Sequence, residues 1–371
     1  MRSSDFEARL LLGPGPSPVS SRIREALSRP TVGHLDPQFL ALMDDVNVRL
    51  RKLFAAGEDA LVFPISGTGS CAQEASLANL LEPGDTAVIG VNGVFGTRLA
   101  EMAKRMGARV VPVKAPWGSI IDPEAVLRAV KAEPDARLVA LVHAETSTGV
   151  HQPLREVGDF LAGTDTLFVA DTVTSLGGVP VDFAANRIDV AYSGTQKCLG
   201  VPPGLAPIAF SAKALERVRG RNRPAQSWYM DAALLADYVG EGSTRRYHHT
   251  APINMMYALH ESLLMVDEEG TEARFARHSE VGGLLQEELT ERGWKLFAQE
   301  GARLPQLTSA ELPDGRAEGP LREALLREHG IEVGGGLGPA AGKLWRIGTM
   351  GSGATRRNVE LLLVAIDSLL G

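Results

Sequence analysis

The sequence predicts an α/β protein: a large unit built on a mostly parallel sheet, followed by a smaller α+β unit. Three observations carry this. Short apolar segments alternate with helical patterns through the middle of the chain. Those segments are apolar on both faces, which suits strands covered by helices on either side. After about residue 270 the alternation gives way to long helices mixed with isolated strands. A chain of 371 residues is long enough for two such cores.

The expected strands, in order, are Ala60–Pro64, Thr86–Gly90, Arg109–Val113, Arg137–His143, Thr166–Asp171, Ile188–Tyr192 and Pro207–Phe210. Helical spacing fills Ser70–Leu81 and Arg98–Met106, and Asp122-Pro-Glu opens another helix with Asp as cap and Pro in the first turn. The tail reads as long helical patterns from Met255 to Arg292, strands near Leu304–Leu312, Ile331–Val333 and Lys343–Gly348, and helices at Leu321–Glu328 and Thr355–Leu370. We expect an N-terminal arm (1–20), a large α/β domain (21–269) and a small C-terminal domain (270–371).

Bulk properties narrow the function. The net charge of −7 argues against a general nucleic-acid binder. No apolar run approaches the roughly 20 residues of a spanning helix, so no membrane role is expected. Two cysteines are too few for a disulfide framework, and the first ten residues lack the apolar core of a signal peptide. A cytoplasmic setting is the expectation.

In open α/β sheets ligands bind beyond the carboxyl ends of the strands. The segments there are Ser66-Gly-Thr-Gly-Ser70, Val91 to Gly96, His143 to Gly149, Asp171 to Ser175 and Ser193 to Lys197. SGTGS lies between a strand and a helix, where amide groups can hold an anion. A helix cap with a flexible turn would explain it equally well when taken by itself. It is neither a nucleotide P-loop nor a dinucleotide fingerprint. Asp171 ends a strand buried on both faces, where a carboxylate is costly without a partner. That partner is a loop amide or a buried cation. Lys197 follows one crossover later, and no acidic residue stands within five positions of it. Unless it is a surface lysine, a buried amine there has a lowered pKa and can attack an aldehyde. Pyridoxal phosphate matches all three features: phosphate at SGTGS, ring nitrogen at Asp171, aldehyde at Lys197.

The chain resembles the class V, fold-type-I aminotransferases dependent on pyridoxal phosphate (PLP), specifically the alanine–glyoxylate and serine–pyruvate branch. The resemblance rests on LLGPGPSP (11–18), VGHLDPQF (32–39), SGTGS (66–70), LEPGDTAVIGVNGVFGTR (81–98), HAETSTGVHQPL (143–154), VADTVTSLGGVPVDF (169–183), YSGTQKCLGVPPG (192–204), YHHTAPIN (247–254) and IEVGGGLGPAAGKLWRIGTMG (331–351). It implies the fold-type-I PLP-dependent transferase architecture, with a large mostly parallel α/β domain and a smaller α+β C-terminal domain.

The resemblance also implies roles. Lys197 is the Schiff-base lysine and Asp171 the partner of the pyridine nitrogen. Thr68, Gly69 and Ser70 form the phosphate-side turn, with Gln196 as a further phosphate contact. Thr146 stands beside the ring oxygen, and Phe95 stacks on the ring where animal enzymes carry Trp. Tyr247 and Thr250 reach the phosphate from the partner subunit of a homodimer. Arg346 takes the substrate carboxylate, which a planar guanidinium suits. Gly15 and His34 line the substrate pocket, and animal members have a smaller residue than His34. The expected reaction moves an amino group from alanine or serine to glyoxylate or pyruvate by a ping-pong mechanism. A phosphoserine or aminophosphonate aminotransferase and a cysteine desulfurase are the nearest alternatives. The latter needs a mobile nucleophilic Cys, and neither Cys71 nor Cys198 sits in a long loop. A nicotinamide oxidoreductase lacks its fingerprint, and a non-catalytic PLP-binding module would leave the catalytic set unused.

Overall fold

The computed structural model describes residues 5–240 and 245–371, so positions 1–4 of the expected arm lie outside the described residues. The expected strands form one seven-stranded sheet: β1 (Leu61–Gly67), β2 (Thr86–Val91), β3 (Arg109–Lys114), β4 (Ala136–Val142), β5 (Leu167–Asp171), β6 (Val190–Tyr192) and β7 (Gly204–Phe210). Their order across the sheet is β1-β7-β6-β5-β4-β2-β3. From β6 to β3 all neighbours are parallel, whereas β7 runs antiparallel to both β1 and β6. An apolar strand carries no marker of its direction, so this reversal is not legible in residues 204–210.

Register aligns the strand ends that matter. Asp171 pairs level with Val142 on one side and Tyr192 on the other. Every residue of β5 is buried, as expected for the middle of a sheet covered on both faces.

The helices follow their caps. Asp122 accepts the Glu124 amide at 3.1 Å and starts the helix Pro123–Ala132. The same Asp-Pro device starts the helix Pro37–Phe54, where Asp36 accepts the Gln38 amide at 2.8 Å. That helix buries Phe39, Met43, Val46, Leu50 and Phe54 along one face. It is absent from the expectations above, although its start signal is identical to the one read at 122. The helical stretch after Met255 is two helices, Ile253–Glu269 and Thr271–Glu291, broken at Gly270 with φ +82°. A positive φ there suits glycine.

Two main apolar clusters result. The larger surrounds the seven-stranded sheet. The second gathers Trp294, Trp345, the helix Thr271–Glu291 and the final helix Arg356–Leu370 against a four-stranded antiparallel sheet. The N-terminal arm joins this second cluster: Leu10–Leu11 pairs in parallel with Ile331–Glu332, and Leu12 is buried there. The arm therefore runs past the ends of the large sheet's strands on its way between the clusters.

Candidate active site

Segments that follow β1, β2, β4, β5 and β6 converge at one end of the large sheet. They enclose a cavity of about 120 Å³ whose walls include Gly69, Ser70, Phe95, Thr146, Asp171, Gln196 and Lys197. These are residues expected from the sequence. Gln73, Arg98 and Thr174 also line it and were not expected.

Asp171 lies on the floor. One carboxylate oxygen accepts the Val173 amide at 3.0 Å. Burial pushes its carboxyl up to about 7. The Val173 amide and Tyr192 hydroxyl pull it back down, Glu145 pushes it up further, and Lys197 lowers it through space. A carboxylate in this position gains from a cationic partner held against it.

Lys197 enters from the other wall, partly buried, and its ammonium donates to the Pro14 carbonyl. Burial first, then the charge of Arg346, lower its pKa to about 8 against the opposing pull of Cys198 and Asp171. The arm closes over this amine. Gly15 has φ +107°, and a Cβ there would stand 2.7 Å from Lys197 Nζ. Any side chain at 15 would meet both strain and collision.

The turn after β1 has the geometry of an anion site. The helix Gly69–Leu80 begins with Thr68 as an extended cap residue whose side chain makes no capping bond. The Thr68 carbonyl takes the amides of Cys71 and Ala72. The Gly69 and Ser70 amides are left facing the helix's positive end. A Cβ on Gly69 would sit 2.8 Å from Val173 Cγ2. Arg98 adds positive charge: its Nη1 donates to Ser70 Oγ at 2.9 Å, and its guanidinium lies 4.9 Å from the Phe95 ring centroid. Gln196 Oε1 is buried without a hydrogen-bond partner.

Thr146 is buried in a tight turn, and its carbonyl accepts Arg346 Nη1 at 3.3 Å. Arg346 Nε donates to the Gly335 carbonyl at 2.7 Å. Burial lowers the Arg346 pKa to about 10, with Glu145 opposing. Among the described residues its guanidinium is held by carbonyls and makes no ion pair.

The remaining expected residues stand apart. Tyr247 and Thr250 are exposed and meet each other, with their hydroxyls 3.2 Å apart. The His34 ring lies 5.1 Å from the Tyr247 ring. Thr68 is exposed. None of these four is among the residues lining the cavity of this chain.

Two partners of the site carry no short-range signal in the sequence. Tyr192 is fully buried beside Asp171. Arg274 is buried and donates to the Gly177 carbonyl at 2.9 Å and the Cys198 carbonyl at 2.7 Å, with Glu269 as its counter-ion. It ties together the loops that follow Asp171 and contain Lys197. The thiols are unsuited to nucleophilic work: burial pushes Cys198 up to about 12 and raises Cys71 as well. This weighs against a desulfurase.

Pyridoxal phosphate fits this donor set. The unused helix-start amides and Arg98 suit a phosphate, Asp171 suits a protonated ring nitrogen, and Lys197 suits an aldehyde.

Comparison with known proteins agrees. The profile of the family described as "Aminotransferase class-V" matches residues 19–359. The chain is 41% identical to the alanine–glyoxylate aminotransferase of Oryctolagus cuniculus, covering 98% of this chain and 92% of that one. It is 37% identical to the (S)-ureidoglycine–glyoxylate transaminase of Bacillus subtilis, covering 98% and 90%. Its fold superposes on the crystal structure of an alanine–glyoxylate aminotransferase from Nostoc sp. with TM-score 0.96 and 44% identity, covering 100% of this chain and 97% of that one. The chain belongs to the class-V aminotransferases and is an enzyme of the fold-type-I, pyridoxal-phosphate-dependent kind.

Proposed function

We propose that this enzyme moves an amino group from a small amino acid, alanine or serine, to glyoxylate, in two half-reactions that share one site. The observation that carries the reading is the position of Arg346. It is a buried guanidinium held, among the described residues, by carbonyls alone, beside the lysine that would do the chemistry. Relatives named for glyoxylate as the acceptor support the choice of oxo acid.

When bound, pyridoxal phosphate supplies an electron sink for charge developing at the substrate α-carbon. The residues around it do the rest. Gly69 and Ser70 amides, Arg98 and Gln196 would hold the phosphate. Phe95 would pack against the ring and Thr146 would meet its oxygen. Asp171 would keep a proton on the ring nitrogen. Lys197 first anchors the cofactor, then, once displaced, takes the proton from the α-carbon and returns one. Its lowered pKa leaves a substantial neutral fraction for this near pH 8. Arg346 binds the carboxylate of donor and acceptor in turn, which fixes the α-carbon against the amine. The arm at Pro14 and Gly15 packs over Lys197 and keeps bulk water from that side.

Two further roles belong to this proposal. Tyr247 and Thr250 would serve the phosphate of a partner subunit in a homodimer, since their exposed hydroxyls do not face their own cavity. The two free thiols support a reducing, cytoplasmic setting.

A panel of amino acids assayed with glyoxylate and with pyruvate, reading the oxo acid released, tests the assignment. Alanine or serine with glyoxylate should give the highest kcat/KM. A clear preference for ureidoglycine would move the donor to that of the Bacillus subtilis relative. Turnover confined to phosphorylated donors would overturn the reading.

A further inference from the structure

Glu145 lies beneath the site, fully buried, and belongs to no role described above. One carboxylate oxygen accepts the amides of Phe95 at 3.0 Å and Gly96 at 3.3 Å. The other accepts both the amide and the hydroxyl of Ser147. The Ser147 hydroxyl oxygen in turn accepts the Val94 amide at 3.0 Å. The first three amides of the helix Val94–Arg105 are therefore satisfied from a different loop, because its own cap residue is Gly93, which has no side chain. Four donors on two oxygens use the acceptor capacity of an ionised carboxylate, and a protonated acid could not accept them all.

The loop and the helix meet at this anion for a reason visible in their contents. The helix carries Phe95 and Arg98; the loop carries Thr146, whose carbonyl holds Arg346. Gly93 completes the fit: a Cβ there would overlap the Glu145 carboxyl carbon and stand 2.5 Å from Ser147 Oγ.

We infer that Glu145 is a positioning residue. Its carboxylate locks the helix start that carries Phe95 to the turn that carries Thr146, both in the cavity wall, and its negative charge restrains the attraction of Arg346 for carboxylates. The inference rests on the cofactor fit above. The electrostatic part follows from placement: Thr146, next to Glu145 in the chain, gives its carbonyl to Arg346, and the Glu145 charge raises the pKa of both Asp171 and Arg346 although burial raises its own.

The two effects have opposite signs, so they can be separated. Glu145→Gln keeps the shape but removes the charge, and forces an NH₂ group against amide donors. Pyridoxal phosphate binding to the cofactor-free protein, followed by absorbance, should weaken about tenfold, the scale of a lost helix cap with charge-assisted bonds. Propionate is an unreactive carboxylate. At saturating cofactor it should bind roughly two- to tenfold tighter, because Arg346 loses a competing anion. Gly93→Ala pushes the carboxylate aside without removing its charge, so it should weaken the cofactor and leave propionate no tighter. A purely structural residue would weaken both ligands in both variants, and that result overturns the electrostatic role. Wild-type cofactor affinity in a folded Glu145→Gln protein overturns the positioning role. Should Glu145→Gln fail to fold, cofactor affinity in Gly93→Ala decides the positioning, and unaltered affinity there refutes it. Failure of the unaltered protein to bind pyridoxal phosphate would instead refute the cofactor reading on which the inference rests.

Discussion

The interior of the cavity and an exposed outer rim that does not line it hold polar side chains to different effect. Inside, Asp171 on the floor and Lys197 on the wall are held by burial in protonation equilibria near neutrality, at about 7 and about 8. On the rim, Tyr247, Thr250 and His34 stand near one another outside the cavity wall. A buried polar group without a full partner is costly, so its survival points to a ligand. An exposed hydroxyl costs nothing. The interior therefore announces its chemistry through physics, and the rim does so only through what would cover it.

Three substitutions, two in the cavity wall and one at Arg346 behind Thr146, should show this cost directly. Lys197→Ala should remove the visible absorbance of lysine-linked cofactor and lower kcat by about 10⁴-fold or more, the loss of general acid–base work and covalent anchoring together. A yellow, active Lys197→Ala enzyme would move the chemistry elsewhere. Asp171→Asn should retain bound cofactor yet lose about 100- to 1000-fold in kcat, the scale of one preorganised electrostatic contact. A near-normal rate would remove Asp171 from the ring nitrogen. Arg346→Lys should raise KM for donor and acceptor alike by roughly 10- to 100-fold, because lysine keeps the charge but not the two-pronged geometry. A rise for one substrate alone would mean that the two carboxylates bind at different places.

Legibility in the sequence follows the same division. Asp171 and Lys197 are readable because each ends an apolar segment, so burial can be inferred from neighbours a few residues away. The helix start at 69–70 is readable for the same local reason. Glu145 lies within HAETSTG, yet no local pattern says that its carboxylate reaches the start of a helix fifty residues earlier in the chain. Arg98 and Arg274 are helix arginines whose partners lie on other elements. Their roles depend on packing between segments. The helix Pro37–Phe54 is a different case: its Asp-Pro start is a local signal of the same kind as the one at 122.

Removing the cofactor sharpens the contrast through pH. In the cofactor-free protein the Lys197 amine must be neutral to capture pyridoxal phosphate. Its pKa is lowered from 10.5 to about 8 by burial, so the neutral fraction grows as pH rises and saturates above about 8. The capture rate should increase about tenfold between pH 7 and 9 and then flatten. An exposed lysine would rise about a hundredfold over that range and keep climbing. A profile still rising at pH 10 would show that the amine is not desolvated.

The smallest effect belongs to the rim, and it is also the one that tests the shared site. Tyr247→Phe deletes one hydroxyl and should weaken cofactor binding by roughly three- to tenfold, the worth of a hydrogen bond to a charged phosphate. That loss by itself does not say whose phosphate is touched. The two defects can be combined in one dimer. Lys197→Ala chains have no amine but an intact rim; Tyr247→Phe chains have the amine but a weakened rim. Dissociated, mixed and reassociated, they give mixed dimers. Activity is then read at a cofactor concentration that leaves the Tyr247→Phe homodimer mostly empty. If the hydroxyl crosses a two-fold axis, one site of each mixed dimer joins the intact lysine to the intact tyrosine of the other chain. Such sites would make up about a quarter of the total under random pairing, and they would fill and turn over at low cofactor. If Tyr247 serves its own chain, every lysine-bearing site keeps a weakened rim and the low-cofactor activity does not rise. Mixed dimers verified by mass that show no recovery would place Tyr247 at its own chain's site and refute the shared one.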